Sequence, residues 1–139
     1  NTYSLETTIA EKIDAILSLM EFSSRMKDYY DIYYLANKFD FDGATLTKAL
    51  QKTLENRGHS FTVEQFKQVL TFGNDDAMQK KWKAFCKKID TKTDDFNAVL
   101  RTIKKFLTEP YKAAVADIKY TKIWLANNNS WIQGGNDND

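Results

Sequence analysis

Leu5, Ile9, Ile13, Ile16, Leu17 and Met20 recur at the three-and-four spacing of an amphipathic helix, with Ser4 placed to cap its start. A second stripe, Tyr29, Ile32, Tyr33, Leu35, Ala36 and Phe39, keeps the same period and ends before "DFDG", Asp40 to Gly43, which reads as a turn. The third helix runs through Leu46, Ala49, Leu50 and Leu54 and stops at Gly58. Thr62 with Gln65 forms a capping box that opens a short helix carrying Phe66, Val69 and Leu70 before "FGNDD" breaks the chain. Met78, Trp82, Phe85 and Ile89 make a fifth stripe, and Phe96, Val99, Leu100, Ile103, Phe106 and Leu107 a sixth, which Pro110 ends or passes to a seventh.

Beyond Pro110, "YKAAVADIKY" reads as a final helix, and "KYTKIWLANNNSWIQGG" as a small hairpin around an asparagine turn, with Trp124 and Trp131 paired across it. The expected class is therefore all-α. The expected architecture is a compact bundle of six to seven helices over residues 1–132, with a C-terminal β-hairpin and a disordered tail at 133–139. A length of 139 residues with 42% apolar and 14% aromatic content is enough for one core.

The formal charge of +1 gives no global field toward nucleic acid or membrane, so any such binding must be local. One cysteine, Cys86, excludes an internal disulfide, and with one histidine, His59, it excludes a cysteine/histidine metal cluster. No apolar run approaches the roughly 20 residues of a membrane span. A reducing cytoplasm is the expected location. The chain opens on Asn1 without an initiator methionine, which fits an excised piece of a longer polypeptide as well as it fits processing.

The charges add a second layer. At about 100° per residue, Glu6 falls inside the apolar arc of the first helix beside Ile13, Lys12 sits at its edge, and Glu11 and Asp14 point away. On the second helix Asp28 falls between Leu35 and Phe39, Arg25 near the stripe's centre, Asp31 on its boundary and Lys27 outside. Burying a lone charge costs several kcal/mol, so such residues are paired or serve a ligand. Two outcomes stay open: a structural ion-pair network, or a polar site in which Lys12 and Arg25 face a phosphate and Asp28 orients them or takes a proton.

"YSLETTIAEKIDAIL", "SRMKDYYDIYYL", "LENRGHSF", "WKAFCKK" and "VLRTIKKFLTEP", in that order, resemble the C-terminal half of the AbiEii-type nucleotidyltransferase toxins of abortive-infection toxin–antitoxin pairs, within the DNA polymerase β-like superfamily. The resemblance implies transfer of NMP from an NTP to an acceptor hydroxyl with release of pyrophosphate. It places the family's lysine motif on Lys12 and its late aspartate on Asp28 as catalytic residues, with Glu6, Arg25, Lys27 and Asp31 at neighbouring, substrate-contacting positions. It further implies Mg²⁺, an RNA acceptor such as tRNA, and a cognate antitoxin. The family's "GSxxxDxD" metal motif is expected upstream of Tyr3. "NDDA" at Asn74 to Ala77 does not replace it, so this piece is expected to be inactive alone and to hold no metal of its own. The alternative is a non-catalytic helical module that binds an antitoxin or RNA.

Other features read as structure first. Lys80, Lys81, Lys83, Lys87 and Lys88, with Lys104 and Lys105, form a basic surface that suits a solvated face better than an RNA track. His59 belongs to a loop, Cys86 to the edge of a core stripe, and the tyrosines of the second helix divide between core and surface.

Overall fold

A computed structural model describes residues 4–23, 25–56, 61–90, 92 and 95–134. Among these are six α-helices: α1 (Leu5–Leu19), α2 (Met26–Lys38), α3 (Gly43–Asn56), α4 (Val63–Leu70), α5 (Asp76–Lys88) and α6 (Phe96–Ala116). Three short strands, β1 (Phe41–Asp42), β2 (Ile123–Leu125) and β3 (Ser130–Ile132), form an antiparallel sheet in the order β1-β2-β3. The expected all-α bundle with a C-terminal hairpin is what the chain adopts, with one strand more than the hairpin required.

Local chemistry explains most boundaries. Ser4 accepts the Thr7 N–H at the start of α1, Asp75 the Met78 N–H at α5, and Asp95 the Ala98 N–H at α6, so the acids of "NDDA" begin a helix. The Thr62–Gln65 capping box opens α4 as expected. Gly58, His59 and the residues from 135 onward lie outside the described residues, and with them the expected helix stop, the loop histidine and the tail.

Three expectations are corrected. "DFDG" is not a free turn: Phe41 pairs with Trp124 and Asp42 with Ile123, while the Asp42 carboxylate accepts the Thr45 N–H at the start of α3. Gly43 is required there, since a Cβ would stand 2.5 Å from the Lys122 carbonyl. Second, Pro110 neither ends nor restarts a helix, because α6 runs unbroken through it to Ala116. Proline strips the Phe106 carbonyl, four residues back, of its helical donor, and the Trp131 indole N–H takes that place at 3.0 Å. Third, Asp14 does not point away but is buried at 2% exposure. The wheel assumes one covered face, whereas α1 packs against α2, α3 and α4 together and is covered over a far wider arc.

The core joins Ile9, Ile13 and Ile16 of α1 to Tyr29 and Ile32 of α2, Leu46 and Leu50 of α3, and the long inner face of α6. The hairpin closes it. Trp124 is fully buried against Phe106, with ring centroids 5.0 Å apart, and donates to the Ala36 carbonyl in the last turn of α2 at 2.7 Å. Trp131 faces it in register on β3 at 5.5 Å. No described helix is long and apolar enough to cross a membrane.

Candidate nucleotide-phosphate site

The α1–α2 connection sets the site. Met20 leaves α1 at φ 50°, a left-handed conformation costly for a non-glycine residue, and a 3-10 turn follows at Met20–Phe22. Lys81 of α5 ties this turn down by donating to the Glu21 carbonyl at 3.1 Å and the Ser23 carbonyl at 2.9 Å. The buried Ser23 hydroxyl then accepts the Arg25 N–H at 2.9 Å, and α2 begins. Lys81 is thereby a structural member of the basic run, a role its position in a lysine cluster did not reveal.

The result is one network of alternating charge. Lys12 Nζ lies 2.8 Å from Asp31 Oδ2 and 3.7 Å from Asp28 Oδ1. Lys27 Nζ shares Asp31 Oδ2 at 2.7 Å. Arg25 Nε stands 3.1 Å from Asp28 Oδ2 as a charge contact without hydrogen-bond alignment, and its terminal nitrogen reaches Oδ1 at 3.5 Å. Asp28 is 3% exposed, so Lys12 and Arg25 are what make its burial tolerable. Its charge, after burial itself, raises the pKa of the neighbouring Tyr29 phenol.

Of the six charged residues singled out in the sequence, five meet in this network. Glu6 does not: it is half-buried in the first turn of α1 and has no hydrogen-bond or ion-pair partner among the described residues. Arg25 is placed differently from the wheel's reading, since it precedes the first turn of α2 as its N-cap and its side chain is 59% exposed. Helical phase does not apply to a residue outside the helix.

One side of the network opens on a cleft of about 400 Å³, lined by Lys12, Arg25, Met26, Lys27, Asp28, Phe85, Lys88 and Ile89. Four cations there face two carboxylates, counting Asp31 behind Lys12, a surplus of two positive charges. Lys88 and Phe85 were legible only as parts of a basic run and an apolar stripe; no local pattern ties α5 to α2. The donor set does not suit a divalent cation. Among the described residues no three of His, Cys, Asp and Glu cluster, and both carboxylates of the network are already bonded to cations. The arrangement suits an anion with several oxygens.

The family model described as "Nucleotidyl transferase AbiEii toxin, Type IV TA system" matches residues 1–109, which contain the whole network and every residue lining the cleft. No curated protein and no solved structure matches the chain.

Proposed function

The chain belongs to the nucleotidyl transferase AbiEii toxin family of type IV toxin–antitoxin systems, and from that premise we propose that its α1–α2–α5 cleft contacts the triphosphate of an NTP during NMP transfer. Family membership implies an antitoxin partner. The observation that carries the proposal is that Lys12, Arg25, Lys27 and Lys88 line one cleft of nucleotide size together with the buried Asp28.

In this proposal an acceptor hydroxyl, for which an RNA end is a candidate, attacks the α-phosphate in line and pyrophosphate leaves. Negative charge grows on the departing phosphates. Lys12 and Arg25 are preorganised to meet it, because Asp31 and Asp28 fix Lys12 between them and Asp28 engages Arg25. Asp31 keeps Lys12 and Lys27 side by side. Asp28 thus acts as a positioning residue, and its burial suits that role better than proton transfer to a solvent-borne acceptor. Mg²⁺ supplies charge neutralisation to such reactions generally. The carboxylates here are committed to lysine and arginine, so these residues would not themselves hold the metal. Glu6 stands outside the cleft and has no part in the scheme.

Calorimetric titration of Mg·NTP into the wild type and the Lys12→Ala variant tests this. The expected result is an affinity at least about tenfold weaker without Lys12, the loss of one charged hydrogen bond. Equal binding in both, or none in the wild type, would leave the charges as a structural network and favour the non-catalytic interaction module.

A further inference from the structure

The last turn of α5 brings three residues to the cleft from a part of the chain that supplies nothing else to the charge network: Phe85, Lys88 and Ile89. Lys12, Arg25 and Lys27 are each engaged by a carboxylate, whereas Lys88 has no ion-pair or hydrogen-bond partner among the described residues. Of the four cations lining the cleft, it is the one that no carboxylate engages among the described residues. Beside it the wall turns apolar. Phe85 is half-buried, with its ring 5.7 Å from Tyr30 and 5.6 Å from Trp82, and Ile89 is 40% exposed. Met26 of α2, only 2% exposed, lies beneath this wall as part of the cleft's lining.

A cleft with fixed cations on one wall and a free cation next to an aromatic and an aliphatic face on another fits a ligand that is polyanionic at one end and flat and apolar at the other. We propose that the α5 end is the second half of the nucleotide site: Lys88 binds a phosphate oxygen, and Phe85 with Ile89 carries the base. This rests on the nucleotide reading above and extends it to residues that reading did not use. The base is held by its face, so the wall binds all four bases with little discrimination. The competing role for Lys88 is electrostatic, since cations in a last turn favour the helix dipole, but Lys87 occupies the same turn and does not line the cleft. Lys87 is therefore the internal control.

The test titrates Mg·ATP, Mg·UTP and inorganic tripolyphosphate, which has no base, into the wild-type chain and into Lys88→Ala, Lys88→Arg, Lys87→Ala, Phe85→Leu and Lys12→Ala, with the thermal midpoint of each variant recorded without ligand. Lys88→Ala is expected to weaken nucleotide and tripolyphosphate alike, by about tenfold, with Lys88→Arg restoring most of the affinity. Phe85→Leu is expected to weaken both nucleotides by about tenfold and leave tripolyphosphate unchanged. Lys87→Ala should bind as wild type, with a thermal midpoint matching that of Lys88→Ala. If Lys88→Ala binds as wild type while Lys12→Ala has lost affinity, the α5 inference is overturned and the triphosphate reading stands. If neither variant loses affinity, both fall. A drop in tripolyphosphate affinity with Phe85→Leu equal to the nucleotide drop would overturn the base-carrying role.

Discussion

At the C-terminal hairpin the polar atoms that packing traps are two helix carbonyls, those of Ala36 and Phe106, and each receives one neutral indole N–H, from Trp124 and Trp131. At the α1–α2 crossing the trapped group is the Asp28 carboxylate, met by cations that keep contact with solvent and that, across the network, outnumber the acids they bond. The first arrangement is one donor to one acceptor, neutral and closed. It is complete without a ligand. The second leaves positive charge over and opens on a cleft, and in the function proposed above an anion completes it. Both begin from the same rule, that a buried polar group must be satisfied. What separates a staple from a site is the surplus and the opening.

The largest effect expected is on the staple. Trp124→Ala removes a fully buried indole and strands the Ala36 carbonyl, and should cost about 3–5 kcal/mol in chemical unfolding. Affinity for tripolyphosphate, measured well below the lowered melting point, should not change. Next comes the network. Lys12→Ala with Arg25→Ala leaves Asp28 buried without a cation and should cost about 3 kcal/mol, the low end for a broken buried pair. Adding Asp28→Ala should recover most of that stability, because no charge is left to strand, but none of the nucleotide affinity. A triple variant no more stable than the double would show that the charges do not compensate one another.

Trp131→Phe is gentler, since it keeps an aromatic ring and removes the five-membered ring with the N–H that fills the carbonyl freed by Pro110. It should cost about 1–2 kcal/mol. The smallest effect comes from pH. Burial, with Glu109 adding to it, pushes the Tyr120 phenol up to about 12, and its ring packs edge-on to Trp131 at 5.1 Å. Folding therefore favours the protonated phenol. That contribution is complete below pH about 10, the ordinary tyrosine value, and is lost as pH rises toward 12. Melting curves between pH 9 and 12, as for any such titration, should fall less steeply in Tyr120→Phe than in the wild type.

How far the sequence could be read follows the same division. Periodicity placed every helix, and the Thr62–Gln65 box and the Trp124–Trp131 pairing were legible, because each depends on residues near one another in the chain or on a repeating face. Pro110 was misread because the donor that rescues its helix comes from Trp131, a residue outside the helix altogether. Asp14 was misread because a helix packed on several sides has no single polar face. At the site, Lys12, Asp28 and Asp31 stood out as charges at or inside apolar arcs. Lys88 and Lys81 did not, since one lysine in a basic run looks like another until the fold sets one on a cleft and turns another onto backbone carbonyls.

The central claim, that the α1–α2–α5 cleft and not the hairpin face is where a polyphosphate binds, is tested most directly by amide and side-chain chemical shifts during a titration with Mg·ATP. Shifts are expected to concentrate at Lys12, Arg25, Asp28 and Lys88, with the Trp124 and Trp131 indole signals unmoved. Shifts centred elsewhere, or an unresponsive Lys12 under saturating nucleotide, would contradict it.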